Sequence, residues 1–454
     1  MRSIQEPART TTVVQETDVC VVGGGSAGVF AAVRAARLGA KVVIIEQQAS
    51  FGGTGTNGMV CVWHYLTDDR YEKQIIAGLT TEVLERLERR DAVIYQEPDP
   101  KKPYRMKNIP QSILNNEELK IEFDELLKEA GVTVRLHTTF VEPVMEDGQL
   151  KGVIIQDSSG RRAILSKVFI DATGDGRLAT SVGNNFESFE GRQPATTGAK
   201  ARGIRGAAAQ KFYEILLEHA AEYHLPHLGF SVPIPNAPDV ELLLETNVFF
   251  RAEVAEELTN AELEGRRQIR AMLDILRTYA PHGRKIALLD IASHIGIRET
   301  IHLQCLYRLS SEDVLNGRSF YDGIANSAYP VDIHHYDRPG ATYRFLDGTE
   351  EYDISGLPRQ IRHWREADEA APTYYQIPYR SLVARAADNL LVCGRHIDAD
   401  KDAFGAIRVQ IATNQTGEAA GVAAYVAVDK EAGASSVDTE RVRKLLGEGG
   451  SIVL

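Results

Sequence analysis

Three glycines, Gly23, Gly25 and Gly28, stand in the spacing G-x-G-x-x-G between an apolar run, DVCVV, and an alanine-rich stretch, VFAAVRAARLGA. Each glycine has a separate task in such a turn. The first permits the tight bend, the second lets a diphosphate approach the backbone, and the third lets helix and strand pack closely. Ser26 and Ala27 lie in the same turn, where free N–H groups and the positive end of a helix dipole attract phosphate. Glu46 closes a second apolar run, KVVIIE, 23 positions after Gly23. A carboxylate there accepts hydrogen bonds from both hydroxyls of an adenosine ribose and repels a 2′-phosphate. The pattern points to an adenine dinucleotide, and on these residues alone FAD and NAD fit equally.

The elements that must hold these groups are legible from periodicity. Residues 18–46 read as strand, glycine turn, helix and strand, a complete βαβ unit of a Rossmann-like parallel sheet. Apolar residues at helical spacing follow in 73–90, and NNEELKIEFDELLKEAG is a helix ending at Gly131. Between these two, Pro98, Pro100, Pro103 and Pro110 mark an irregular connection. VTVRLHT, VEPVMED, LKGVIIQD and AILSKVFI read as one sheet strand followed by a hairpin layer, and the unbroken apolar run of KVFIDATGDG suits a strand buried on both faces. From about 205 to 375 the pattern changes to helices (211–224 and 250–279), a strand or two at 285–297, and loops rich in Pro, Tyr and His. NLLVCG at 389–394 is again a buried strand, and 405–428 reads as one long helix rich in Ala and Gly. The expected organisation is α/β. A discontinuous dinucleotide-binding domain of 16–205 and 376–430 carries a parallel sheet, a β-hairpin layer and a helical insertion at about 65–115. An α+β substrate-binding cap covers 206–375, and a C-terminal tail with one short helix covers 431–454.

Composition narrows the partners. The 454 residues carry a formal net charge of −12, which opposes nucleic acid and anionic membrane surfaces, since both need clustered Lys and Arg. A small-molecule substrate is the expected partner, and a homo-oligomer is compatible with this composition. Cys20, Cys61, Cys305 and Cys393 are widely scattered, so neither a disulfide framework nor a zinc site is expected. The polar first residues lack the apolar stretch of a signal peptide, and no apolar run reaches membrane-spanning length. The expected location is the cytoplasm.

Three further blocks resolve the choice of dinucleotide. Phe51-Gly52-Gly53-Thr54, Asp171-Ala172-Thr173-Gly174-Asp175-Gly176 and GRHIDADKDAFGAIRVQIATNQTGEAAGVAA at the C-terminal side together resemble the FAD-dependent oxidoreductase family, which is related in fold to the fumarate reductase flavoproteins and to glutathione reductase. The similarity runs over most of the chain, including GIRETIHLQCLYRLSSEDVLNG and YPVDIH. It implies a glutathione-reductase-class FAD-binding domain. No residue declares itself as a tether, so non-covalent FAD is expected, and a single G-x-G-x-x-G provides no internal NAD(P)H domain, so an external electron donor or acceptor is expected. The residues agree. Gly53, Thr54 and Thr56 supply a turn and hydroxyl donors for phosphate, and Ala172, Thr173, Gly174 and Asp175 let the chain pass close to the ribityl-diphosphate region. Gly394 and Arg395 arrive at the carboxyl edge of the sheet. A helix starting near Ala406, Ile407 and Arg408 would aim its N–H groups at the flavin N1 and C2 carbonyl, where charge develops on reduction. This chain departs from the family pattern at His396, where a small or thiol residue is usual, and at Asp400, Lys401 and Asp402; those departures bear on substrate rather than cofactor.

A flavin carries the redox chemistry itself, so the protein must position a C–H or C=C and supply an acid or base. His64 follows the glycine-rich loop and is either a catalytic group or a polar wall packed on Trp63. Arg298 is either paired with Glu299 or a clamp for a substrate carboxylate. His334 or His335 is an acid/base candidate, and Tyr329 and Arg395 line the pocket. Asp337 follows the two histidines, but Pro339 and Gly340 oppose a helix and no third ligand declares itself, so substrate hydrogen bonding is preferred there over metal. The expected activity is a dehydrogenase or reductase acting on a small polar organic molecule by hydride transfer at flavin N5. The rival readings are flavin-dependent hydration, elimination or isomerisation without net redox, an FAD-bound electron-transfer or scaffold subunit, and an NAD-retaining relative without flavin.

Overall fold

In the computed structural model, residues 2–98, 106, 109–205, 211–366, 368 and 370–454 are described; Pro100, Pro103 and the expected start of the cap at 206 lie outside them. The central sheet has seven strands. Strand β1 (Val13–Val22) pairs in parallel with β2 (Val42–Ile45), and β2 with β3 (Thr133–Arg135). The hairpin layer is β4 (Thr139–Glu146) and β5 (Gln149–Asp157). Next to β1 on its other side lies β6 (Gly160–Asp171), with Val19 opposite Val168 and Val22 opposite Asp171. The far edge of β6 is shared. Its first half takes β5 antiparallel, and its last three residues take β7 (Leu390–Val392) in parallel. A chain segment more than two hundred residues later thus completes the sheet beside Asp171. Val19–Val22 are at most 1% exposed, which explains their unbroken apolar run: both faces are covered.

Helix α1 (Ser26–Arg37) covers one face and is crossed by a long helix near the C-terminus. The crossing depends on two small residues. A Cβ on Gly417 would collide with the Ala27 carbonyl, and one on Gly421 with that of Ala31, so glycine at this four-residue spacing lets the two backbones touch. Arg34 and Glu418 form a buried ion pair across the same interface. Removing either charge would strand the other in the core, the costly half of such a pairing.

The expected single helix over 405–428 is in fact two, α2 (Lys401–Ile407) and α3 (Gln410–Lys430). Val409 is extended at φ −69°, ψ 150°. Side chains on both sides hold the break open. Arg408 donates to Asp332 and Gln193, while the Gln410 amide accepts from Trp63 Nε1 at 3.1 Å and donates to the Val60 carbonyl at 2.6 Å. The periodicity of small residues runs through the break, which is why the sequence does not reveal it.

The region between 195 and 365 is richer in strands than expected. One four-stranded antiparallel sheet (Phe230–Pro233, Val240–Leu244, Ala199–Arg202, Ala287–Ile291) packs on the helix Ala255–Tyr279 around its own apolar cluster. A second is formed by Val331–His334, Ala341–Arg344, Thr349–Asp353 and Gln360–His363, where the sequence reads as loops. Its strands are four or five residues long and polar on one face, below the length at which alternation stands out. The stretch before Asn115 contains the expected helix, Leu79–Glu88, but also a three-stranded sheet of Val62–His64, Gln111–Leu114 and Val93–Gln96. Among the described residues no helix is long and apolar enough to cross a membrane.

Candidate active site

One continuous cavity of about 950 Å³ runs from the glycine turn after β1 to the two sheets of the 195–365 region. Its first half is a cradle with the shape of a dinucleotide. Gly23 is at φ +104°, with its Cα face against the Ala172 carbonyl. Gly25 is different: a Cβ there would meet nothing within 4 Å, so this glycine faces open cavity. Gly28 packs against the Gly23 carbonyl, where any Cβ would collide. Ser26, Ala27, Glu46, Gly53, Thr54, Ala172, Thr173, Gly174, Asp175, Gly394 and Arg395 all line the cavity. Glu46 is held by backbone donors, Gly24 N–H at 2.7 Å and Gln48 N–H at 2.8 Å, which fixes its carboxylate at the cavity wall with lone pairs to spare. Neither α1 nor α3 has a side-chain N-cap. Two helix N-termini therefore open on the same cavity with uncapped N–H groups, one suited to a diphosphate and one to the electron-rich edge of a flavin.

Three of the expected cofactor contacts are not there. Thr56 is fully buried, and its hydroxyl donates to the Phe51 carbonyl at 2.6 Å, so it stiffens the turn instead of meeting phosphate. Ala406 and Ile407 end α2 inside the core and are at most 1% exposed. The break at Val409 puts Arg408, Val409, Gln410 and Thr413 on the cavity instead. Thr173 lies in the wall, but its hydroxyl is taken by Asp171 at 2.7 Å. Arg395 pairs with Asp175 at 2.5 Å and packs under Gly174.

The second half of the cavity gathers His64, Arg298, and the pair Tyr329 and His334 from three distant segments. His335 points elsewhere. Its ring meets the Thr342 hydroxyl at 2.7 Å and Arg338 at 3.1 Å, outside the cavity. Alternation along the strand Val331–His334 explains the split: Asp332 and His334 share one face and His335 falls beyond it. Arg298 and Glu299 do not pair with one another. Arg298 donates to the Pro194 carbonyl at 2.7 Å, whereas Glu299 meets His302 at 3.1 Å and the Gln193 N–H at 2.9 Å.

Asp332 joins the group. Its Oδ2 accepts from the Tyr329 hydroxyl at 3.1 Å and from Arg408 at 2.8 Å, and its Oδ1 lies 3.4 Å from His334 Nε2. Tyr343, opposite Asp332 in the neighbouring strand, lines the same wall. Burial, with Arg298 and Arg408 close by, holds the His334 imidazole well below its ordinary range and therefore neutral. The same burial raises the Tyr329 phenol, which Asp332 pushes further. Asp332, Glu245, Tyr343 and Gln410 were absent from the expected set. Asp332 was findable, since it stands two positions before His334 in a strand-like run, but Glu245 and Tyr343 come into view only when the sheets fold over.

His64, on the strand Val62–His64, has its ring 5.2 Å from that of Tyr329 and is pushed down to about 4 by burial and by Arg408. Folding therefore competes with protonation. Above about pH 6.5 the ring is neutral in both states; as pH falls toward 4 the unfolded chain gains a proton that the folded chain refuses. Stability from this group is complete above the unfolded value and is lost on acidification, by on the order of 2 kcal/mol. His64→Gln is expected to lose less stability than the parent between about pH 7 and about pH 5, read by urea unfolding; equal losses in both proteins would remove His64 from this role.

Comparison with known proteins agrees with the cradle. The model of the family described as FAD dependent oxidoreductase matches residues 18–446. The chain belongs to that family. FAD is accordingly its cofactor, and the residues lining the cradle fit it. Among curated relatives, mitochondrial dihydrolipoyl dehydrogenase of Caenorhabditis elegans is 46% identical over 50 residues, 11% of this chain and 10% of that protein. Thiamine thiazole synthase of Methanococcus aeolicus is 27% identical over 184 residues, 38% of this chain and 61% of that protein. The matches thus span a tenth to three fifths of those relatives' lengths. Among solved structures, a geranylgeranyl bacteriochlorophyll reductase-like protein of Thermoplasma acidophilum has TM-score 0.47 at 12% identity, covering 96% of this chain and 83% of its own. A flavin-dependent brominase has TM-score 0.45 at 12% identity, covering 96% and 84%.

Proposed function

We propose that this family member oxidises or reduces a small polar organic molecule by hydride transfer at flavin N5, with an external electron donor or acceptor completing the cycle. What supports the reading is the continuity of the cavity: the dinucleotide cradle opens without a wall into a chamber lined by His64, His334, Tyr329, Arg298 and Arg408. Bound FAD supplies the hydride-exchanging atom; the chain supplies everything else. The uncapped N-terminus of α3 stabilises negative charge on an electron-rich edge beside it. His334, neutral and with an Asp332 carboxylate oxygen 3.4 Å from its Nε2, takes the proton of a substrate hydroxyl or amine, or of an acidic C–H. Tyr329 donates to Asp332, so that node stays fixed while the histidine titrates. The two sheets of the 195–365 region exclude water from the reacting atoms. In this reading the architecture is of the glutathione reductase class, with an FAD-binding body of 16–205 and 376–430 and a substrate cap of 206–375.

The test is anaerobic mixing of the yellow protein with hydroxy acids, polyols, sugars and amines, followed in the visible flavin band, with NADH as the reverse-direction control. Bleaching by one of the organic compounds is the expected result. Turnover of a compound with no change in flavin redox state and no external acceptor would replace the proposal with a non-redox flavoenzyme. A flavin that only dithionite or a protein partner reduces would favour an electron-transfer subunit.

A further inference from the structure

Four largely buried arginines line the cavity, and three of them are held in close hydrogen bonds by carboxylates. Arg359 donates to Glu351 at 2.6 Å and to Asp353 at 2.7 Å, Arg395 to Asp175 at 2.5 Å, and Arg408 to Asp332 at 2.8 Å. Arg298 is the exception among the described residues. Its side chain is 11% exposed, its one close hydrogen bond is to the Pro194 carbonyl, and the nearest carboxylate, Glu245, is 3.7 Å away. Glu245 thus meets the charge of Arg298 without a close hydrogen bond, and the guanidinium fork can still take an anion at shorter range. Burial presses against its charge, Glu245 and Asp332 support it, and Arg408 opposes it. The backbone around it is also under constraint: Glu245 is held at φ +67°, a conformation that side chains other than glycine rarely adopt and that recurs at ligand sites.

We infer that Arg298 is the anchor of the substrate's carboxylate, so that the molecule worked on is a small organic acid. The inference rests on the proposed reading of this chamber as the substrate pocket. The planar fork of a guanidinium matches a carboxylate in two parallel hydrogen bonds. A dianion is disfavoured, since Glu245 and Asp332 already set two negative charges against Arg298 and Arg408 on the same wall. His334 and Arg298 line the same chamber. An acid anchored on Arg298 therefore brings the carbon beside its carboxylate toward the group that moves the proton. Glu245, loosely engaged at 3.7 Å, is free to accept from a hydroxyl or amine next to that carboxylate.

The experiment is calorimetric titration of the FAD-loaded protein with lactate, succinate and benzoate, with the matching amides and inorganic phosphate as controls, alongside the visible difference spectrum. The parent is expected to bind at least one carboxylate and perturb the flavin band. Arg298→Met is expected to weaken that binding by at least about 30-fold, with flavin content unchanged, and Arg298→Lys to recover part of it. Equal binding of the amides or of phosphate, unchanged carboxylate binding by Arg298→Met, or no carboxylate binding at millimolar concentration would each overturn the assignment. The two claims fail separately. Carboxylate binding lost in Arg298→Met without bleaching by any compound would leave the anchor standing and sink the redox reading; bleaching by a neutral compound that Arg298→Met binds normally would do the reverse.

Discussion

A Gly25→Ala variant is expected to fold as the parent does and yet lose its FAD. The backbone at Gly25 is at φ −61°, ψ 171°, where alanine is comfortable, and the added methyl meets nothing within 4 Å. Two small effects on folding then offset: alanine restricts the unfolded chain, by about 0.4–1 kcal/mol, and is a poorer helix N-cap than glycine by a comparable amount. The melting temperature of the flavin-free protein should hold within about 2 °C. The methyl, however, occupies the space through which a diphosphate approaches the α1 N-terminus, and FAD affinity is expected to fall at least about 100-fold, roughly 2.7 kcal/mol. Gly23→Ala provides the contrast. There the Cβ would lie 2.5 Å from the Ala172 carbonyl at φ +104°, so folding and cofactor binding should fail together. Equilibrium dialysis of FAD alongside melting curves reads both. Stoichiometric FAD surviving dilution in Gly25→Ala would show that the open space at this turn is not where the cofactor lies.

The second large effect is on rate. His334→Gln is expected to slow anaerobic flavin reduction by about 10²- to 10⁴-fold, the usual contribution of a positioned general base, with substrate dissociation constant changed only slightly. His334 is favoured over His64 because it alone of the two has a carboxylate in reach, Asp332 at 3.4 Å, and a base works best when a second group fixes its orientation. Asp332→Asn should therefore fall between the parent and His334→Gln. Its loss should appear mainly in the limiting reduction rate rather than in binding. Stopped-flow reduction across substrate concentration separates the two quantities. A large loss in His64→Gln with His334→Gln near the parent would exchange the roles.

These two variants also divide what could be read early from what could not. The glycine turn, Glu46 and the run into β6 follow from local backbone demands: a tight bend, a close approach, a strand covered on both faces. Such demands leave their mark in residue types within a few positions, so the cradle was legible in its main parts. Thr56 misleads for a related reason, since nothing in its neighbourhood tells whether a hydroxyl faces a ligand or the Phe51 carbonyl. The chamber beyond the cradle is another matter. His64, Glu245, Arg298, Arg408, and the pair Tyr329 and His334 come from five segments, and no periodicity connects them.

By itself, the sequence determined the βαβ cradle, its acidic partner and the family, because short-range geometry and motif spacing carry that information along the chain. Only the tertiary structure decided three things. It ended α2 at Ile407 and opened a second helix N-terminus at Gln410, through long-range hydrogen bonds to Asp332, Trp63 and Val60. It turned His334 inward and His335 away, through the pleat of a strand too short to recognise. And it left Arg298 with its carboxylate, Glu245, at 3.7 Å rather than in the close hydrogen bond that each of its buried neighbours makes, since the pairing of charges in a core depends on which distant strands meet.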